Sequence, residues 1–221
     1  MDGQGNSPDP ALQIARSKWG VNKLYETNTC RSRTKNPMDI SDVVKNLPVI
    51  NEAASDMLDM FGPEFTNTPG GHIETDIAAA ASLAGLMILR SSVPDVSAMP
   101  PGSAILFPMD EEMDLIHNFM TGVCVSLDLD PSSGWDTEIP DENKPLFSIP
   151  DMTQKTGKDF LAICRGKNLQ EEFFPFVAIL GSLKIVSAGK QMGLLDEDTG
   201  KSLAAYYVYA GARTVPHPEC E

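Results

Sequence analysis

A chain of 221 residues with 42 % hydrophobic and 22 % charged residues has enough apolar surface for a core and too much for wholesale disorder. Its longest apolar stretches, Ile77 to Leu89 and Phe173 to Leu183, fall short of the roughly 18–20 residues of a membrane span, so no membrane partner is expected. The formal charge of −14 argues against nucleic acid as a ligand of the acidic part, because that binding rests on Lys and Arg neutralising phosphates.

Taken in chain order, Met1 to Pro10 is rich in Gly, Asn, Ser, Pro and Asp and reads as a tail. A helix starting at Pro8 or Pro10 is expected to run to Trp19, with residues 20–38 irregular, so that 1–38 form a partly mobile arm. The segment 39–213 is expected to be one helical domain. Ser41 caps a short helix through Lys45; Pro48 opens another through Met60, on which Val49, Ala53, Met57 and Met60 recur at helical spacing. Gly62-Pro63 is expected to stop it, and Thr66 to Gly71 reads as a loop.

Residues 73–90 give the clearest helix, apolar on every face between Ile77 and Leu89 except at Ser82, which is the pattern of a buried central helix. Ala104 to Phe107 reads as a short strand, with no credible sheet to receive it. From Met109 to Leu127, Met109, Met113, Ile116, Met120, Val123 and Leu127 repeat at alternating spacings of 4 and 3, a stripe that packs helix on helix. The stretch 128–150 holds Pro131, Gly134, Pro140, Pro145 and Pro150 and reads as a long loop. Helices then cover 151–164, and 168 to about 192 with Asn168 and Glu171 as a capping box and Pro175 as a kink. Gly193 ends that helix, Leu194 and Leu195 turn inward, and Asp196 or Asp198 caps a last helix to about Ala210. Residues 214–221 read as a flexible tail. The fold class expected is all-α: a single domain of seven or eight helices around 73–90.

The charge is unevenly placed. Residues 51–150 hold seventeen acids against Arg90 and Lys144, whereas residues 1–50 are slightly basic and hold the cluster Arg31, Arg33 and Lys35. Such a field suits a basic protein surface and speeds encounter with it. Within it, Asp130, Asp136 and Glu142 of the long loop are the candidate partner-binding residues. Tyr206 and Tyr209, which share a face of the last helix, are candidates for contact with a partner or a second copy of the chain.

Chemistry is sparse. Asp110, Asp114 and His117 fall on one flank of the 109–127 helix, and Asp114 with His117 has the i, i+3 spacing of one carboxylate-x-x-His pair. His72, Glu74 and Asp76 at the start of the central helix could complete a mixed site for a divalent metal; no cofactor is expected beyond that one possibility. Glu111 with Asp114, and Asp56 with Asp59, have a magnesium-compatible spacing of low specificity. Thr199 to Ser202 resembles the end of a phosphate loop, but Leu195 stands where glycine is required and Asp196, Glu197 and Asp198 would repel a phosphate. The four cysteines, Cys30, Cys124, Cys164 and Cys220, are far apart and form neither a zinc motif nor a disulfide framework. No secretory leader is read in the first twenty residues, so the expected setting is cytoplasmic. The function expected is that of a non-enzymatic interaction protein. The alternatives are a divalent-metal-dependent hydrolase of phosphate-containing substrates and a structural subunit of a homo-oligomer.

Overall fold

The structure, a computed structural model, describes residues 24–26, 40–65, 72–93, 95–106 and 110–218. The helix expected at Pro8 to Trp19, the Arg31 to Lys35 cluster and the Thr66 to Gly71 loop lie outside these residues. Six helices are described: α1 (Ile40–Phe65), α2 (Ile73–Ser92), α3 (Asp110–Ser126), α4 (Ile149–Gly166), α5 (Phe174–Met192) and α6 (Glu197–Ala212). The chain is mostly helical, as its pattern requires.

The centre is α2. Every residue from Ile77 to Leu89 is buried, and α6, α5 and α4 pack around it while α1 lies against α5 and α4. Small side chains set how close these helices come. A Cβ on Gly85 would stand 2.4 Å from the Ala212 nitrogen and the Val208 carbonyl oxygen, and one on Gly211 would stand 2.8 Å from the Ser82 carbonyl oxygen. The α2–α6 crossing is therefore a backbone-to-backbone contact that no other residue type fits without movement. An 18-residue window within Glu171–Met192 is long and apolar enough to cross a membrane, at a mean hydropathy of 1.4, yet 78 % of that window is buried inside the fold.

Several boundaries differ from the sequence reading. α1 is one helix, continuous through Pro48 and past Gly62-Pro63. Pro48 is exposed, so water can serve the carbonyl that loses its N–H partner, while Val43 and Ile50 on either side are fully buried and hold both halves to one core. Asn168 does not open a helix: at φ +56° it closes α4, its N–H reaching the Arg165 carbonyl and the next N–H reaching Cys164. A 3-10 turn at Glu171–Phe173 follows, and Pro175 sits in the first turn of α5, where its missing N–H costs nothing and no kink results. Gly193 and Asp196 cap as expected, but of the two leucines between them only Leu195 is buried; Leu194 is 61 % exposed.

The strand expected at Ala104 is present as β2 (Ala104–Leu106), and it has a partner: β1 (Leu24–Glu26) pairs with it in parallel, within a stretch read as irregular. Thr214 and Val215, expected in a tail, return to this ribbon. The Val215 N–H donates to the Ser103 carbonyl and its carbonyl accepts from Gly102, with the side chain buried.

Candidate functional site

Two buried polar clusters hold the long loop between α3 and α4. The first lies under its beginning. Lys201, from the second turn of α6, has no solvent exposure, and its ammonium reaches Glu197 and Asp198 carboxylate oxygens at 3.1 Å each and the Asp130 carbonyl at 2.7 Å. Burial alone would push its pKa down; the hydrogen bonds to Asp198 and Glu197 outweigh this and hold it above the ordinary lysine value. Glu197 is also paired with Lys190 at 2.7 Å and accepts the Asp130 N–H, and Lys190 donates to the Asp128 carbonyl. Ser202 donates to the Gly134 carbonyl at 2.6 Å, and Trp135 lies over the Lys201 ammonium, 5.9 Å from it to the ring centroid. Gly134 has φ +82° and no room for a Cβ beside Asp198, so the loop can approach α6 only with glycine there.

The second cluster lies under the loop's end, in the first turn of α2. Glu74 is nine-tenths buried; one of its oxygens is 3.3 Å from His72 Nδ1 and the other accepts from Asn143 Nδ2 at 2.7 Å. Thr75 Oγ1 contacts His72 Nδ1 at 2.9 Å and accepts the Leu146 N–H at 3.0 Å. Beside them, Asp76 Oδ1 is sealed from water with no donor among the described residues. Burial, assisted by the charge of Glu74, pushes the Asp76 pKa up to about 6.

That shift gives a prediction. A carboxyl whose folded pKa lies above its ordinary value of 3.8 binds its proton more tightly in the folded state. Its stabilising contribution is complete below that value and is lost as pH rises through about 6. Asp76→Asn should therefore raise stability at pH 7.5 by roughly 1–3 kcal/mol and change it little near pH 4, measured by urea unfolding. Equal effects at both pH values would contradict the buried placement of this carboxyl.

Between the two clusters the loop shows its acids to water. Asp128, Asp130, Asp136, Glu138, Asp141 and Glu142 are all exposed. The Asp130 carboxylate is engaged locally, accepting from the Ser132 N–H and from the Ser132 and Ser133 hydroxyls, which holds its pKa low. Asp141 pairs with Lys144. The carboxylates of Asp136, Glu138 and Glu142 have no counter-ion among the described residues.

The metal candidates are dispersed. Asp114 and His117 are exposed on α3, and the His117 ring stands edge-on to Trp135 at 5.5 Å. The Asp110 side chain lies outside the described residues. His72 and Glu74 pair with each other, and Glu74 also accepts from Asn143 of the loop. Among the described residues no three His, Cys, Asp or Glu side chains converge as metal ligands. In α6, Tyr206 is half-buried against Tyr207, and Tyr209 is 40 % exposed with the Arg213 guanidinium 4.2 Å from its ring centroid. Burial pushes the Cys124 thiol up to about 11 and the Cys164 thiol up to about 12, which makes both poor nucleophiles.

Sequence reasoning missed Lys201, Lys190, Ser202 and Asn143, the residues that tie the loop down. The only signal for Lys201 was a lysine following acids at positions i−3 and i−4, which on a helix places all three on one face. Compared with models of protein families, with curated proteins and with solved structures, the chain matches none.

Proposed function

We propose that this is a non-enzymatic interaction protein whose 128–142 loop presents an acidic face to a basic surface on another protein, in a cytoplasmic setting. The observation that supports this reading is the contrast between the loop's backbone and its side chains. Its carbonyls at 128, 130 and 134 are gripped by Lys190, Lys201 and Ser202, while six acidic side chains point to water. A loop serving only solubility has no need of a held backbone. Holding it reduces the ordering entropy that a partner would otherwise have to overcome, which strengthens association without any new contact.

Asp130 is bound up in its own turn and Asp141 pairs with Lys144, so the acids chosen are Asp136, Glu138 and Glu142, which have no counter-ion among the described residues. The test compares capture from native lysate by the wild type and by two triple reversals of equal net charge. One is D136K/E138K/E142K; the other, D59K/D159K/E171K, changes exposed acids on α1, on α4 and in the turn before α5. Both should fold with stabilities within about 1 kcal/mol of the wild type, because the substitutions are exposed. Loss of salt-sensitive partners by the loop variant alone is the expected result. Equal loss by both would mean that bulk charge acts, and no loss by either would remove the loop from the interaction.

A further inference from the structure

We propose that Lys184 is an acylation site: its amine, seated on α1 without a carboxylate, is the one among the described lysines that takes an acyl group from a thioester. The inference concerns the contact between α5 and α1 and does not depend on the reading of the loop as a partner surface.

A lysine attacks an acyl donor only as the free amine, so a carboxylate beside it, which favours the ammonium form, protects it. Most of the described lysines are protected in this way. Lys45, Lys144, Lys167, Lys190 and Lys201 each pair with an aspartate or a glutamate. Lys155 and Lys158 are exposed on α4, where water stabilises the charge.

Lys184 is in neither situation. It is half-buried, and its ammonium donates to the Ser55 hydroxyl at 2.8 Å and to the Asn51 carbonyl at 3.3 Å, both on α1. Ser55 donates to the same carbonyl at 2.9 Å, which leaves its oxygen as an acceptor for the amine. No described carboxylate pairs with Lys184. Glu52 and Asp56, on the same stretch of α1, are taken up by Lys167, and Asp59 one turn further on is exposed.

A hydroxyl and a carbonyl are neutral acceptors and hold an ammonium less strongly than a carboxylate does. Burial acts in the same direction and lowers the Lys184 pKa below the ordinary lysine value. The Ser55 hydroxyl suits either form, accepting from the ammonium or donating to the free amine. Asn51 and Ser55 are both exposed, so the seat opens to solvent on the α1 side.

In the reaction the ammonium first gives a proton to water. The free electron pair on Nζ then attacks the thioester carbonyl carbon and forms a C–N bond. The C–S bond breaks with its electron pair leaving on sulfur, and the thiolate takes the proton that the nitrogen sheds. The products are an amide on Lys184 and a thiol, with nothing oxidised or reduced. The amide carries no charge, so it fits a half-buried seat better than the ammonium does, and the chain becomes more acidic by one charge.

The experiment treats the full chain with limiting S-acetyl-N-acetylcysteamine, a neutral thioester, at about pH 7.5, where an ordinary lysine is almost wholly ammonium. Peptide mass spectrometry reads the acetyl occupancy of each lysine. Lys184 is expected to acetylate about three-fold or more faster than Lys155 and Lys158, because its gain in free amine exceeds its loss in basicity. Ser55→Asp puts a carboxylate at the seat and should bring Lys184 down to the rate of Lys158 or below. Ser55→Asn supplies a neutral acceptor instead and should leave Lys184 fast. The position is exposed, so both variants should fold. Labelling of Lys184 no faster than Lys155 and Lys158, an undiminished rate in Ser55→Asp, or a lost advantage in Ser55→Asn would overturn the proposal. So would labelling of the fully buried Lys201 in step with Lys184, because unfolding would then be what exposes the amine.

Discussion

Gly85→Ala is expected to lower the melting temperature, even though alanine is the better helix former by about 1 kcal/mol. The added methyl would sit 2.4 Å from backbone atoms of Val208 and Ala212, which cannot rotate away as a side chain can. α2 and α6 must then separate across their whole crossing, and overpacking of this kind costs about 1–3 kcal/mol before any propensity gain. Gly85→Val, with two more methyl groups, should cost more still. The internal control is Gly122→Ala. Gly122 is exposed on α3 with nothing near its Cβ position, so here propensity acts alone and stability should rise by about 1 kcal/mol. Opposite signs in circular-dichroism melts of the two variants are the expected result; a stabilised Gly85→Ala would place α6 farther from α2 than the structure has it.

Lys201→Met should be the most damaging single change in the loop's anchorage. Methionine fills a similar volume, so little is lost in packing, but the Asp130 carbonyl and the Glu197 and Asp198 carboxylates lose a fully buried cation. Removing one partner of a buried pair typically costs 3–5 kcal/mol, and about 3 kcal/mol is expected here because Lys190 still serves Glu197 and Asp198 is partly exposed. For a chain of this length that is a fall of roughly 6–12 °C in Tm. Trp135 lies over Lys201, so its fluorescence should shift towards that of a solvated indole in the same variant. A variant with unchanged Tm and emission would contradict the buried position of this lysine.

How far the sequence could be read depended on whether the signal was local. α2 was legible because a helix apolar on all faces has no stable place except the centre. The spacing on α3 and the caps at Gly193 and Asp196 were legible for a similar reason, since each depends on a few neighbouring residues. Continuity of α1 through Pro48 was not legible: the local cost of proline favours a break, and what overrides it is burial of Val43 and Ile50 in the same core. Asn168 suits a helix start and a left-handed helix end equally well, and the end of α4 claimed it. β1 could not be found from three residues whose pairing partner lies at Ala104–Leu106.

The polar clusters were legible only in part. Glu74 and Asp76 stood out as acids in a first turn, where the helix dipole favours them on the surface. Glu74 is covered by the loop end, with Asn143 on its carboxylate and Leu146 on the neighbouring Thr75, and nothing near residue 74 announces it. Lys201 was hidden by its motif. Read as part of Thr199 to Ser202 it looked like the end of a broken phosphate loop, whereas in the fold its charge is taken up by the very acids that make phosphate unwelcome. The acidic character of the 128–142 loop was plain from composition, but which of its acids stand free was not, because Asp130 is occupied by serines that local reading takes for ordinary loop residues.

The most direct measurement of the proposed role is the association rate of the partner captured in the lysate experiment, taken at low and high salt with the wild type and both triple reversals. Long-range attraction by a held acidic face acts on encounter and leaves dissociation to short-range packing. The loop variant D136K/E138K/E142K should associate about ten-fold more slowly than the wild type at low salt, with the difference shrinking as salt shortens the Debye length to about 3 Å at 1 M. The control D59K/D159K/E171K should stay close to the wild type at both. An on-rate that is the same for the loop variant and the wild type at low salt would contradict a docking role for the 128–142 loop.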